Sequence, residues 1–482
     1  MSRSAVGAAA GRPRHLPVDA PREKCGVFAI SGVPEAAALA FMGLYALQHR
    51  GQESAGIVAI DGDGTARAHR GMGLVADVFD AERIRRLKGR LALGHVRYST
   101  AGGSELRNAQ PVLVDYRQGA LTLAHNGNLT NALELRHRLS GEGAIFQTDS
   151  DSEVIVHLIA RSRREEEAQQ VDDALSQVTG AFSLILSIGQ TLYVARDSRG
   201  YRPLVLGELN GATVAASETC ALDIIGARYV REVKPGEVLR IREGKAQRLR
   251  PLPPQEPAPC LFELVYFARP DSRVWGCSVD RARRLFGRRL AREHPAEADC
   301  VFAVPDSSNS SALGYSEESG LPFELALIRN HYVGRTFIQP TQTDRDFKVR
   351  VKFNPVRELI ADRRVVVVDD SLVRGTTSRG LVVLLREAGA REIHLRVASP
   401  PIRFPCYYGI DMPTRAELVG ARLSVEEIRR QLGVETLGYL SLEGMREAVE
   451  EFGPFCDACW TGDYKTPLVD VEHGHLVESC SC

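Results

Sequence analysis

The 482-residue sequence contains no apolar run that approaches the roughly 18 residues of a membrane-spanning helix, and its most strand-like apolar stretch, at 365–368, is flanked by charged residues. It also lacks net charge, because 61 Lys and Arg are balanced by 61 Asp and Glu. No overall positive field therefore attracts nucleic acid or anionic lipid. The composition favours a soluble protein that acts on small molecules and has no membrane or nucleic-acid partner.

A secretory signal is missing as well. The first 24 residues mix Ala, Gly, Pro and charged residues, and they contain no apolar segment of roughly 7–15 residues. We expect them to form a disordered leader. The ten cysteines, in a chain without a secretion signal, favour reduced thiols, metal ligation or catalysis over a disulfide framework, so the expected compartment is the cytoplasm.

The N-terminal half, residues 25–250, consists of short β-rich runs separated by Gly, Asn and Asp turns. Two segments, 35–51 and 150–168, carry apolar residues at three- and four-residue spacing and are predicted to be helical. The pattern predicts an α+β domain with largely antiparallel strands. Residues 251–259, PLPPQEPAP, are predicted to be a linker, because proline interrupts both helices and central strands.

In the C-terminal half, residues 260–465, apolar strands alternate with helices, and LALIRN at 325–330 is among the predicted strands. This alternation predicts an α/β domain with a doubly wound parallel sheet. Residues 466–482 are expected to form a C-terminal tail.

The strongest signal in this half is RRVVVVDDSLVRGTTSRG, at 363–380. Its four valines predict a strand buried on both faces, with Asp369 and Asp370 at the strand end where open parallel sheets bind ligands. The short turn that follows contains Gly375 and leads into an amphipathic helix whose N-terminal N–H groups can hold a phosphate. From the residues alone, a plain strand with an acidic turn and a helix cap also fits.

This segment closely resembles the phosphoribosyl pyrophosphate motif of type I phosphoribosyltransferases. The resemblance implies that Asp369 and Asp370 meet the ribose hydroxyls. It also implies that the turn binds the 5′-phosphate through Ser371, Arg374, Gly375, Thr376 and Thr377.

A basic stretch at 327–355 is, taken alone, a solvated loop. Its VGRTFIQP and R-x-x-x-V-R-x-K-F-N-P patterns resemble the flexible loop that closes over phosphoribosyl pyrophosphate in amidophosphoribosyltransferases. The resemblance implies substrate contacts from Arg335, Arg350 and Lys352, and closure that excludes water. It also implies Mg²⁺ near Ser307, Asp369 and Asp370.

The N-terminal half resembles class II glutamine amidotransferase domains of the Ntn-hydrolase type. The resemblance lies in CGVF from Cys25, YALQHRGQESAGI at 45–57, GHVRYSTAG at 94–102, HNGNL at 125–129 and DSDSEV at 149–154. It implies that Cys25 is an N-terminal nucleophile and that the leader is a propeptide cut between Lys24 and Cys25. The chemistry agrees, because a free α-amino group with a pKa of about 7.7–8.0 is a suitable base. The alternative is an internal strand cysteine.

By motif position, Asn126 and the N–H of Gly127 would form the oxyanion hole, Arg97 would hold the glutamine α-carboxylate, and Asp151 its α-ammonium. Outside these motifs, such an arginine is usually surface charge and such an aspartate a helix cap. One departure is RDSRGYRPL at 196–204, where the family commonly has Pro and Ile in place of Ser198 and Tyr201. We expect this segment to shape the domain interior without performing chemistry.

A C-x-x-C pair, Cys456 and Cys459, is by itself compatible with zinc, redox chemistry or accident, and zinc is the first expectation. The contexts of Cys260, Cys406, Cys456 and Cys459, however, resemble those of amidophosphoribosyltransferases that carry a 4Fe-4S cluster. That subgroup also carries the cleaved leader.

The resemblance implies that glutamine, phosphoribosyl pyrophosphate and water give 5-phosphoribosylamine, glutamate and pyrophosphate, which opens purine (IMP) synthesis. It further implies a homo-oligomer, expected to be a tetramer, inhibited by purine nucleotides. One alternative is a non-catalytic purine regulator, but the glutamine domain and the lack of a DNA-binding module argue against it. The other is a different glutamine-dependent enzyme, but neither a sugar isomerase domain nor an S-G-G-x-D-S loop is present.

Overall fold

The computed structural model describes residues 25–98, 103–330, 345–412 and 414–472. None of the helices within these ranges is both long enough and apolar enough to span a bilayer.

Thirteen strands of the N-terminal half form two antiparallel sheets, in the orders β11-β9-β10-β1-β4-β2-β3 and β13-β12-β8-β7-β6-β5. The strands are β1 Gly26–Ser31, β2 Ser54–Ile60, β3 Ala66–Met72, β4 Leu91–Arg97, β5 Val112–Tyr116, β6 Gly119–Leu129, β7 Gly180–Ile188, β8 Thr191–Arg196, β9 Val205–Leu209, β10 Ala212–Ala216, β11 Arg228–Glu232, β12 Val238–Arg242 and β13 Lys245–Arg248. The helices are α1 Ala36–Ala46, α2 Val75–Val78, α3 Ala81–Arg86, α4 Ala132–Gly141, α5 Glu153–Arg161, α6 Glu167–Leu175 and α7 Cys220–Asp223.

These elements stack in four layers. Val27 of β1 and Leu93 of β4 pack against Ala124 of β6 and Ile185 of β7, so a core lies between the two sheets. Helix α1 covers the outer face of the first sheet, and α4, α5 and α6 cover the second. The predicted α+β sandwich of the Ntn-hydrolase type is confirmed.

The C-terminal half is built around a four-stranded parallel sheet in the order β16-β19-β20-β21. Its strands are β14 Arg273–Val274, β15 Cys277–Ser278, β16 Cys300–Ala303, β17 Leu327–Arg329, β18 Phe353–Pro355, β19 Arg364–Asp369, β20 Glu392–Val397 and β21 Thr436–Tyr439. Its helices are α8 Val279–Glu293, α9 Asn309–Ser319, α10 Arg345–Lys352, α11 Thr376–Glu387, α12 Val419–Arg422, α13 Val425–Leu432, α14 Leu442–Ala448, α15 Ala458–Thr461 and α16 Val469–Glu472.

Helices cover both faces of this sheet. Val366 and Val368 of β19 pack in one core with α8 and α9, while Val365 and Val367 pack in another with α11 and α13. Continuous apolar strands are expected where both faces are covered. The predicted α/β phosphoribosyltransferase-type domain is confirmed.

The prediction that LALIRN belongs to the parallel sheet is wrong. The preceding residues touch the sheet edge only briefly, through Val301 N–H to Pro322 O and Glu324 N–H to Val301 O. The chain then leaves the edge, and β17 pairs with β18 in a separate two-stranded antiparallel ribbon. Ile328 is 47% exposed, so this segment has no second covered face that would hold it as an inner strand.

The two ends of the C-terminal half both contact the N-terminal half. Residues 251–259 contain no helix or strand and run along the sandwich, where Ala258 N–H donates to Arg199 O. The segment at 466–472, assigned to the tail from sequence, docks on helix α4, because the buried Asp470 accepts from the N–H groups of Leu133 and Glu134 at 3.0 Å each. The exact domain boundaries stay predictions.

Candidate active sites

Cys25 lies immediately before the central strand β1 and is buried. Because Gly26 pairs with Val96, Cys25 lies beside the carboxyl end of β4, and its Sγ is 3.6 Å from the carbonyl oxygen of Tyr98. Arg50 Nε donates to the carbonyl oxygen of Cys25 at 3.2 Å. The nucleophile predicted from sequence is therefore shielded from solvent and fixed at both its side chain and its backbone.

Asn126 and Gly127 lie near the end of β6 in the facing sheet. Asn126 is fully buried, and within the described part of the chain neither its Nδ2 nor its Oδ1 has a hydrogen-bond partner. An unpaired buried amide costs about 1–3 kcal/mol, which a ligand acceptor would recover. At Gly127 any Cβ would lie 2.0 Å from Ala181 O, so only glycine fits. A contact of 3.0 Å between His95 Nε2 and His125 O holds β6 against β4.

Arg97 ends β4 and is buried. Its Nη1 donates to Gly103 O at 3.3 Å and to Glu53 Oε2 at 3.4 Å. Asn108 joins this arginine to the loop before Asp151, because its Nδ2 donates to Gly103 O at 2.8 Å and its Oδ1 accepts from Asp149 N–H at 2.9 Å. The structure therefore brings the two predicted glutamine-binding segments together.

The carboxylate of Asp151 is almost completely buried, yet it is stabilised as an anion. It accepts from Leu129 N–H at 3.0 Å and from Ser152 Oγ at 3.1 Å, and His125 Nδ1 lies 3.6 Å away. Burial alone would raise the pKa of Asp151, but His125 and these hydrogen bonds outweigh it and hold the pKa below its ordinary value. Such a carboxylate is ready to receive an ammonium group.

A second site is a cavity of about 350 Å³ at the carboxyl ends of β16 and β19. Asp369 ends β19, and Gly375, with φ of 80°, turns the chain into α11. Residues predicted to bind the ribose, phosphate or metal that line the cleft are Ser307, Lys352, Asp369, Asp370, Ser371, Gly375 and Thr377. Thr376 is the first residue of α11, so the N–H groups of that helix start in the cleft, as phosphate binding requires.

Asp370 is the most shielded acid of this cleft. It accepts hydrogen bonds from the hydroxyls of Ser307 and Ser371. Burial raises the pKa of Asp370 above its ordinary value, and the two hydroxyls and Arg283 oppose this only in part. An all-oxygen set of Ser307, Asp369 and Asp370 suits Mg²⁺.

Among the described residues, three predicted phosphoribosyl pyrophosphate contacts do not line the cavity: Arg350, Arg374 and Thr376. Arg350 forms an ion pair with Glu387, and Arg374 donates to Glu417 at 3.0 Å. Arg350 and its partner are exposed, whereas Arg374 is partly buried. Arg335 lies outside the described residues.

Arg283 is a cleft residue that the sequence analysis missed. It is 1% exposed and lines the cavity, and it donates to Leu264 O and Ala268 O at 2.8 Å each. Burial lowers the pKa of Arg283 to about 10, although Asp370 raises it. A signal was present, since Arg283 stands three residues before Phe286 on the apolar face of α8.

The four cysteines of interest come from three distant segments and form no disulfide with any cysteine of the described residues. The backbones of Cys260 and Cys456 pair as an isolated parallel β-bridge, and Leu261 N–H donates to Cys456 O at 3.1 Å. Cys260, Cys406 and Cys459 belong to one apolar cluster, and Cys406 and Cys456 belong to a second, so the four cysteines lie in one region. Burial raises the pKa of Cys459 well above its ordinary value, and the neighbouring thiols raise it further. Among the described residues, no group of three or more His, Cys, Asp or Glu side chains is arranged to hold a metal ion.

Comparison with known proteins identifies the family of this chain. A family model for a glutamine amidotransferase domain matches residues 95–223. An amidophosphoribosyltransferase of Methanothermobacter thermautotrophicus is 47% identical over 467 residues, which cover 95% of this chain and 98% of the relative. A chloroplastic amidophosphoribosyltransferase of Arabidopsis thaliana is 50% identical over 454 residues, covering 94% of this chain and 80% of the relative.

A solved structure has the same fold. Glutamine phosphoribosylpyrophosphate amidotransferase from B. subtilis, complexed with ADP and GMP, superposes with a TM-score of 0.88 at 47% identity. The match covers 92% of this chain and 98% of that one. This chain therefore belongs to the amidophosphoribosyltransferase family, the glutamine-dependent transferases of purine biosynthesis.

Proposed function

We propose that the family reaction is divided in this chain between Cys25, which releases ammonia from glutamine, and the cleft at the end of β19, which adds it to phosphoribosyl pyrophosphate. The observation that carries the proposal is the buried amide of Asn126, which has no hydrogen-bond partner among the described residues and lies in a strand held against the one that flanks Cys25. A carbonyl oxygen that becomes an oxyanion is the acceptor this amide lacks.

In the first step Cys25 Sγ attacks the amide carbon of glutamine. The thiol proton passes to the α-amino group of residue 25, and Asn126 Nδ2 with the Gly127 N–H stabilises the oxyanion. Arg97 and Asp151 hold the α-carboxylate and α-ammonium groups of the substrate. The α-amino group returns this proton to the departing nitrogen, so that ammonia leaves, and water then hydrolyses the thioester to glutamate.

In the second step ammonia attacks C1 of the ribose and pyrophosphate departs, which gives 5-phosphoribosylamine. Asp369 and Asp370 hold the ribose hydroxyls, and the turn with Gly375, Thr376 and Thr377 holds the 5′-phosphate. Ser307, Asp369 and Asp370 would hold Mg²⁺, which neutralises pyrophosphate charge when bound. Lys352 lines the same cleft and adds positive charge for the leaving group.

Product stoichiometry tests this division. Purified protein given phosphoribosyl pyrophosphate, Mg²⁺ and glutamine labelled with ¹⁵N in the amide should form glutamate, pyrophosphate and ¹⁵N-labelled phosphoribosylamine in equal amounts. Glutamate release without pyrophosphate release would show that the cleft does not use the ammonia.

We propose that the chain is cut between Lys24 and Cys25, since only a free α-amino group supplies the base at residue 25. The leader itself lies outside the described residues. Intact mass of the active enzyme should correspond to a chain that begins at Cys25. Full activity of a chain that retains residues 1–24 would contradict the proposal.

We propose that Cys260, Cys406, Cys456 and Cys459 hold a 4Fe-4S cluster. The support is that these four cysteines, three of them buried and Cys406 partly buried, lie in one region of the structure, and four cysteines are a ligand set that such clusters use. The cluster would act as a clip between the start and the end of the C-terminal half. Anaerobically purified protein should be brown with close to four irons per chain, whereas stoichiometric zinc, or colourless and fully stable protein, would contradict the cluster.

We also propose that purine nucleotides inhibit this enzyme and that it forms a homo-oligomer, expected to be a tetramer. The support for the first is the ADP and GMP in the B. subtilis structure. Inhibition assays with purine nucleotides test the first proposal, and native mass spectrometry tests the second. The cytoplasmic location stays a prediction, because the Arabidopsis relative is chloroplastic.

A further inference from the structure

The C-terminal strap, residues 464–472, runs from the C-terminal half onto the sandwich and includes α16. Two of its polar residues, Thr466 and Asp470, are buried, and Asp470 is only 2% exposed. Neither of the two proposed reaction steps uses these residues. A buried carboxylate is costly unless it is hydrogen-bonded, so the partners of Asp470 show what the strap does.

Asp470 caps helix α4 of the sandwich. The residue before this helix, Asn131, makes no side-chain hydrogen bond to the first turn. The two carboxylate oxygens of Asp470 instead accept from the N–H groups of Leu133 and Glu134, and the N–H of Asp470 donates to Thr130 O at 2.8 Å. A carboxylate at a helix start satisfies N–H groups that have no partner within the helix and is favoured by the helix dipole. The strap therefore completes the start of α4.

Helix α4 follows β6, the strand that carries the oxyanion-hole residues Asn126 and Gly127 near its end. The C-terminal half also holds this strand directly, because Asn128 Nδ2 donates to Tyr407 O at 3.0 Å. The backbone immediately after the proposed oxyanion hole is thus fixed by contacts from the other half of the molecule.

Two stacked tyrosines anchor the strap at Thr466. The hydroxyl of Tyr408 accepts from Thr466 N–H and donates to Thr466 O, at 2.8 Å each. The hydroxyl of Tyr201 lies 2.9 Å from Thr466 Oγ1, and its ring lies 4.2 Å from that of Tyr408. The family commonly has isoleucine at the position of Tyr201, and isoleucine has no hydroxyl to bond the strap.

We propose that Asp470 is a positioning residue for glutamine hydrolysis. From the strap it fixes the start of α4, and so holds Asn126 and Gly127 in the geometry that receives the oxyanion. Such donors act only when they are aligned with the developing charge, and small displacements of a catalytic group are costly. The inference rests on the proposed glutaminase site and adds to it a residue from the C-terminal half.

The test compares Asp470→Ala with Asp80→Ala. Asp80 is a matched control, because it also caps a sandwich helix, α3, through the N–H of Arg83, and this helix does not follow β6. Glutamine hydrolysis is measured with saturating phosphoribosyl pyrophosphate and Mg²⁺, and ammonia-dependent synthesis is measured separately. Each variant loses a helix cap, so each should have a lower urea midpoint than the parent.

Only Asp470→Ala should change the chemistry. Its kcat for glutamine hydrolysis should fall at least about tenfold, because the oxyanion donors are displaced. Its KM for glutamine should stay within about twofold, since Asp151 keeps its contacts with Ser152 and His125. Asp80→Ala should keep the parental kcat, and ammonia-dependent synthesis should stay within about twofold of the parent in both variants.

Asp470→Asn is the milder second variant, because the amide keeps one acceptor oxygen and loses the other. It should lower kcat for glutamine by a smaller factor. Parental kcat in folded Asp470→Ala overturns the inference, and so do equal losses with glutamine and ammonia. If that variant does not fold, parental kcat in Asp470→Asn overturns it. Failure of the proposed function looks different, since the parent enzyme itself would then lack glutamine hydrolysis.

Discussion

Asp151 and Asp370 are both shielded aspartates, one in each site, and their pKa values shift in opposite directions. The pKa of Asp151 is lowered despite burial, because His125, a backbone N–H and a hydroxyl surround it. The pKa of Asp370 is raised, because burial outweighs two hydroxyls and the neighbouring Arg283. Burial alone therefore does not set the direction of the pKa shift; the groups that surround each carboxylate decide it.

The difference separates a preformed site from one that its ligand completes. Asp151 is held as an anion before any substrate arrives, which suits recognition of an ammonium group. The cleft around Asp370 gathers acids, hydroxyls and a helix start, and burial there disfavours the charge of Asp370. Variants at the two aspartates should accordingly differ in which nitrogen donor they affect.

The largest effect is expected from the double variant Asp369→Asn, Asp370→Asn. It should lower synthesis by about 10³-fold or more with glutamine and with ammonia alike, because the ribose loses both carboxylates. Steady-state assays with each donor measure this. Asp299→Asn is the control and should keep parental rates, because Asp299 contacts the N–H of Arg364 at the start of β19, away from the cleft. Parental ammonia-dependent synthesis in the double variant would refute the ribose site.

A smaller and more selective effect is expected from Asp151→Asn. Loss of the charge for the α-ammonium group should cost about 2–3 kcal/mol, or roughly 30- to 150-fold in kcat/KM for glutamine. Ammonia-dependent synthesis should not change. Asp173→Asn, on the outer helix α6, is the control. Equal losses with both donors would break the contrast between the two aspartates.

The smallest effect concerns Glu153, which anchors the loop carrying Asp151. It accepts the N–H groups of Gln147 and Thr148 at 2.8 Å each. Burial acts to raise the pKa of Glu153, but His157 and these N–H groups outweigh burial and lower the pKa from an ordinary value of 4.5 to about 2. A depressed pKa stabilises the fold above pH 4.5, and this contribution disappears as the pH falls towards 2.

Glu153→Gln should therefore lower the urea midpoint at pH 7 and approach the parental midpoint near pH 2.5, that is, about 2 pH units below the ordinary carboxyl pKa. Unfolding curves between these pH values measure the gap. A gap independent of pH would show that the effect is steric and not due to charge.

The fold was predictable where a local pattern agrees with its surroundings. Strand β19 carries four apolar residues because helices cover both of its faces, and Gly375 marks the turn before α11. The helix expected at 150–168 is instead two helices, since α5 ends at Arg161 and the charged residues that follow precede α6. The spacing of apolar residues does not reveal such a break when the two helices have the same helical periodicity.

The candidate sites were predictable from motifs, but the contacts between the two halves were not. Asn126 and Asp151 were found because their motifs are local, whereas Arg50 and Glu263 are separated by 213 positions in the sequence and meet only after the halves dock. A charge pair between such distant residues produces no local pattern in the sequence. Arg283 was the recoverable exception, because an arginine on the apolar face of a helix requires buried acceptors.

Cys25→Ser, assayed with both nitrogen donors, tests the account most directly. Glutamine-dependent synthesis should fall at least about 10³-fold, because the nucleophile is lost, while ammonia at high pH still supports the parental rate at the untouched cleft. Cys220→Ser, which removes another buried thiol of the sandwich, should leave glutamine-dependent activity in place. Full glutaminase activity in Cys25→Ser, or loss of ammonia-dependent synthesis in a folded variant, would contradict the division of labour between the two sites.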